Sequence, residues 1–143
     1  LAVLELRISL ETEAAGLAAL RRSEANLAAL RKALDAVIAA VDAGQDSVAA
    51  DFQFHLEIAR ATQNSHFADL MATLGAQIIP RSRLEPAADM NGERLAYMRR
   101  VNTEHENILD AIANQDAESA RAAMRTHLSN SRERRRRAQA GVG

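Results

Sequence analysis

The chain has 143 residues, enough for one domain with a full hydrophobic core. Hydrophobic residues make up 48% and aromatics only 3%, alanine is the commonest residue, and the formal net charge is −1. This composition favours an all-α fold and excludes an overall electrostatic glove for nucleic acid. Without cysteine, disulfides and thiolate metal sites are excluded as well. A reducing, cytoplasmic setting fits the lack of cysteine, and no apolar run has transmembrane length, so no membrane partner is expected.

Six helices are expected, joined by connections short enough to make neighbours antiparallel. The first runs from Ala2 to Leu20, with Leu4, Ile8, Ala15 and Leu17 or Ala18 near one face. Ser23 is a suitable N-cap for the second, which carries Leu27, Leu30, Leu34, Val37, Ile38 and Val41 and ends at Gly44. Asp46 or Ser47 caps the third, with Val48, Phe52, His55 and Ala59 on its apolar stripe. The fourth starts at Asn64 or Ser65, carries Phe67, Leu70, Met71, Leu74 and Ile78, and is kinked or ended by Pro80. Residues Glu85 to Gly92 read as a loop. The fifth helix carries Leu95, Met98, Val101, His105, Ile108 and Ile112. Asp116 caps the sixth, which runs into the arginines of 132–137. Residues 1–137 form the expected bundle and 138–143 a flexible tail.

Four residues stand where a helical core ordinarily takes an aliphatic side chain: Asp51, His55, His105 and His127. Asp51 and His55 are one turn apart and share a face. His105 lies between Val101 and Ile108, and His127 follows Met124, both at core spacing. Buried imidazoles and carboxylates are costly unless paired, and three imidazoles with one carboxylate are a donor set for a divalent metal with a position left open. The competing reading is three hydrogen-bonded core histidines. His66, in the first turn of its helix among polar neighbours, serves as an internal control outside the set.

Several segments resemble the FCD domain, the C-terminal effector-binding domain of the FadR subfamily of GntR transcription regulators. They are Leu4-Glu5-Leu6-Arg7 with Leu10-Glu11; Asp51-Phe52-Gln53-Phe54-His55; Thr62-Gln63-Asn64; Glu104-His105 with Ile108, Ala111-Ile112 and Asp116; and Ala120, Met124 and His127-Leu128. The resemblance implies a sensor rather than an enzyme. In the metal-dependent branch, the residues matching Asp51, His55, His105 and His127 hold a divalent cation, with zinc the first candidate and nickel, manganese or iron(II) the others. A small carboxylate metabolite then binds the metal and nearby arginines. The winged helix-turn-helix head that contacts DNA would precede Leu1, and the assembly would be a homodimer.

Arg7 is the first candidate for the effector carboxylate, because its face lies near Leu4 and Glu11 and a guanidinium suits bidentate recognition. Arg81 and Arg83, just after Pro80, and Asn130, near one turn beyond His127, are further effector-binding candidates. The basic run Arg132 to Arg137 has no interleaved aromatic residue for base stacking and reads as a charged helix end. Two rival functions stay open on the residues alone. A metal-dependent helical-bundle enzyme is one, although the chain has no Glu-x-x-His motif of the di-iron kind. A purely structural dimerisation bundle is the other.

Overall fold

A computed structural model describes residues 2–84 and 92–141, with the side chains of 77–84, 138, 139 and 141 outside the described set. Six helices follow one another: α1 (Ala2–Arg21), α2 (Glu24–Asp42), α3 (Val48–Ala61), α4 (Ser65–Leu84), α5 (Gly92–Ala113) and α6 (Ala117–Gly141). There is no strand among the described residues, and the fold class is all-α as the composition implies.

Local chemistry sets most of the boundaries. Ser23 caps α2 in a reciprocal arrangement in which its hydroxyl accepts from the Asn26 N–H and the Asn26 side chain accepts from the Ser23 N–H. Past α2, Gly44 takes φ +70°, a left-handed conformation that glycine adopts without a Cβ penalty. Ser47 sits at the α3 N-cap without a side-chain cap bond, and Asp46 supplies it instead, accepting from Val48 N–H at 2.9 Å. Asn64 accepts from the His66 N–H at the start of α4, and Asp116 accepts from the Ser119 N–H at the start of α6.

Of the two outcomes expected at Pro80, a kink or an end, the end does not occur, because α4 continues to Leu84. Proline forgoes one backbone hydrogen bond, a loss the rest of this 20-residue helix tolerates. Gly92 opens α5 rather than closing a loop, while residues 85–91 lie outside the described residues.

The core is built from Phe54, Ile58, Leu30, Leu34, Ile108, Ile112, Met124 and Leu128, all essentially without exposure. Ala14, Ala15, Ala18 and Ala19 make the inner face of α1, and such small side chains allow close approach of α6, its most extensive neighbour. Phe54 rather than Phe52 is the fully buried ring of α3, and Leu70, expected on the apolar stripe of α4, is 53% exposed. The Arg22 guanidinium donates to the carbonyls of Ile112 and Ala113. It thereby ties the end of α1 to the end of α5, satisfying acceptors that a helix C-terminus leaves open. Since α1 and α5 share that end and α3 meets it through Arg21 and Thr62, these three helices run in one direction. They bring Glu11, His55 and His105 to a similar depth in the bundle.

Candidate metal centre

His55 on α3, His105 on α5 and His127 on α6 converge. Their ring centroids are 5.6 Å apart for His55 and His105, 5.4 Å for His55 and His127, and 4.7 Å for His105 and His127. Each offers a ring nitrogen within 4.8 Å of the others, an arrangement that could hold a metal ion. All three are buried, whereas His66 is exposed and not a member of the group. The Phe54 ring packs against both His55 and His105 and closes one side of the cluster with apolar surface.

Asp51 joins them from the first turn of α3. Its Oδ1 lies 2.9 Å from His105 Nε2 and 3.8 Å from His55 Nε2, with the side chain 38% exposed. Apart from these contacts with Asp51, Nε2 of both His55 and His105 is buried and makes no hydrogen bond among the described residues. The outer nitrogens are engaged. Glu11 Oε1 accepts from His55 Nδ1, Glu104 Oε1 accepts from His127 Nδ1 at 2.8 Å, and Asn102 Oδ1 stands 3.4 Å from His105 Nδ1.

Charge is unevenly distributed around this cluster. Burial alone would raise the Glu11 carboxyl, but Arg7 and then His55 outweigh it and hold it at about 2. Burial likewise works against the Asp51 charge, but His105 at 2.9 Å and the neighbouring imidazoles push it well below the usual carboxylate range. Burial pulls His127 down to about 4, whereas Glu11 holds His55 above the ordinary histidine value despite its burial.

Among the effector candidates, Arg7 is inside, with 11% side-chain exposure, and its Nε donates to Glu11 Oε2 at 2.6 Å. Asn130 is exposed and donates to Glu104 Oε2 at 2.7 Å. The side chains of Arg81 and Arg83 lie outside the described residues. Sequence reading missed Glu11, 2% exposed, and Glu104. For Glu11 a signal existed, since Leu4, Ile8, Glu11, Ala15 and Ala18 make one helical stripe on which it is the only charge. Glu104 carries no such signal, because it flanks the stripe of α5 and reaches inward from its edge.

The six-helix bundle with a buried histidine cluster is an all-α regulator-type domain in architecture only, and comparison with known proteins gives its family. The chain belongs to the FCD domain family, matched over residues 2–130. It is 34% identical over 128 residues to the HTH-type transcriptional regulator LutR of Bacillus subtilis (strain 168), covering 90% of this chain and 58% of that protein. It is 31% identical over 134 residues to the Uxu operon transcriptional regulator of Escherichia coli (strain K12), covering 92% and 52%. A solved structure of Streptococcus agalactiae GntR superposes with a TM-score of 0.78 at 25% identity, covering 92% of this chain and 57% of that one. The chain thus spans little more than half the length of these relatives. The LutR and Uxu relatives carry the names of transcriptional regulators. No described helix is long and apolar enough to cross a membrane.

Proposed function

We propose that this chain is the effector-sensing domain of a GntR/FadR-type transcription regulator. In this reading Asp51, His55, His105 and His127 hold a divalent metal, and a small carboxylate metabolite binds at that centre with the help of Arg7. The observation that carries the reading is the pair of buried Nε2 atoms on His55 and His105, which make no hydrogen bond among the described residues and face Asp51. Each such orphan costs about 1–3 kcal/mol, and ligation removes that cost. Donors on a zinc-sized ion at about 2.0–2.2 Å sit roughly 3–3.5 Å apart, a scale that the 2.9 and 3.8 Å separations of Asp51 from the two nitrogens straddle. Nitrogen and oxygen donors of this kind suit zinc, nickel, manganese or iron(II). When bound, the ion would supply positive charge and open positions for an oxygen ligand.

Arg7 is suited to the effector's carboxylate because Nε is committed to Glu11 while the guanidinium feels the charge of Asp51. Its terminal nitrogens provide the fork that an acid group needs. Arg81 and Arg83 complete the proposed effector set, with Asn130 acting beside Glu104. DNA would be read by a winged helix-turn-helix segment outside this chain, and the protein would work as a homodimer, for which exposed Leu6, Leu20 and Leu70 offer apolar surface. Calorimetry of the zinc-loaded domain against lactate, a sugar acid, a dicarboxylate and an aromatic acid tests the sensor reading. An acid should bind, and chelation should abolish its binding. Tightest binding of a neutral analogue, or binding that survives chelation, refutes it.

A further inference from the structure

The three histidines differ in what stands behind them. His55 and His127 each meet a carboxylate on Nδ1, from Glu11 and Glu104, whereas His105 meets only the Asn102 amide oxygen, at a long 3.4 Å. Each carboxylate is itself gripped by an arginine. Arg7 Nε donates to Glu11 Oε2 at 2.6 Å. Arg134 NH2 lies 3.4 Å from Glu104 Oε1, with its guanidinium 4.8 Å over the Tyr97 ring, and Asn130 holds the other Glu104 oxygen.

An ionised carboxylate can only accept hydrogen bonds. A neutral imidazole facing one must therefore carry its proton on Nδ1, which leaves the Nε2 lone pair for the interior, where His55 Nε2 has no partner. Carboxylates in this position fix the ring's tautomer and orientation and raise its basicity as a ligand. We infer that Glu11 and Glu104 are positioning residues of the metal centre, each turning one histidine with its inner nitrogen toward the ion, and each clamped in turn by an arginine, Arg7 on α1 or Arg134 on α6. The inference rests on the metal reading proposed above. Arg134 lies beyond the segment 2–130 that matches the family, so the second clamp uses a part of α6 outside that match.

The test is zinc affinity of the 143-residue chain by competition with a chromogenic chelator. Glu11→Gln and Glu104→Gln, which keep shape and remove charge, should each weaken zinc binding about 10–100-fold. Arg134→Gln should weaken it less than Glu104→Gln does. Glu57, a buried carboxylate that pairs with Gln53 and Arg60 and meets no histidine, is the control, and Glu57→Gln should change affinity by less than about twofold. Wild-type protein that binds zinc while Glu11→Gln and Glu104→Gln bind as well as Glu57→Gln overturns the positioning role and leaves the metal reading intact. Wild-type protein that takes up no zinc overturns both. Should Glu11→Gln fail to fold, the partly exposed Glu104 and the tautomers carry the test. Nitrogen-15 spectra of the metal-free protein at about pH 8, above the ordinary histidine range, should show Nδ1 protonated in both His55 and His127, whether or not the ring is also charged. A neutral ring protonated on Nε2 alone overturns the inference.

Discussion

His105→Leu should separate the two roles a buried histidine can have. His105 has no exposure, packs against Phe54 at a centroid distance of 5.0 Å, and its Nε2 makes no hydrogen bond among the described residues. If it exists to hold a metal, it is a liability in the metal-free bundle, costing about 1–3 kcal/mol for the orphaned nitrogen. Leucine fills a similar volume without that cost, and Asp51, partly exposed, keeps access to water. In chelator, the variant should therefore melt within about 1 kcal/mol of wild type or above it. With zinc at roughly a hundredfold over Kd, the wild type should gain about 2.7 kcal/mol. At about 2–4 °C per kcal/mol for a domain near this size, that is about 5–11 °C. His105→Leu should gain none of it. Thermal denaturation followed by circular dichroism, with chelator and with zinc, reads both quantities. A variant more than about 2 kcal/mol less stable in chelator, or one that zinc stabilises as much as wild type, refutes the reasoning and marks His105 as a structural residue.

The pH dependence follows from the same cluster. Burial holds His127 at about 4 in the folded chain, below the ordinary value near 6.5, so the unfolded chain binds more protons between the two, and stability should fall as pH drops through that window; urea titrations showing constant or rising stability there contradict it. Glu11, held at about 2, stabilises above its unfolded value near 4.5, and that stabilisation should be lost as pH falls on toward about 2. His55 is shifted the other way, so its contribution is complete below about 6.5 and lost as pH rises through its folded value; zinc affinity should climb over that upper range with release of a proton, which calorimetry in two buffers measures. At saturating zinc, Arg7→Ala should weaken the tightest organic acid by about 1.5–3 kcal/mol, and unchanged affinity removes Arg7 from the effector site. Gly44→Ala should cost about 1–2 kcal/mol through its positive φ alone, since no atom lies within 4 Å of the added Cβ; denaturant melts with no loss contradict that reading.

The helices and their caps were legible because they depend on local chemistry. Ser23, Asp116 and Gly44 act where the sequence puts them. The histidine cluster was legible because His55, His105 and His127 each occupy an apolar stripe, and a stripe is a statement about burial. Pairwise partners were harder. Glu11 sits 44 residues from His55 and Glu104 sits 23 residues from His127, and periodicity says nothing about which helix faces which. Pro80 left a kink and a helix end both open, because a missing N–H marks one lost hydrogen bond and does not by itself set a boundary. Leu70 misled because a leucine at stripe spacing is buried only where another element covers it.

If Asp51, His55, His105 and His127 hold one divalent ion inside the bundle, elemental analysis of the purified domain, equilibrated with zinc and then desalted, should find about one ion per chain, lost in His105→Ala and retained in His66→Ala. Metal-free wild-type protein after that loading, or equal zinc content in both variants, contradicts that reading.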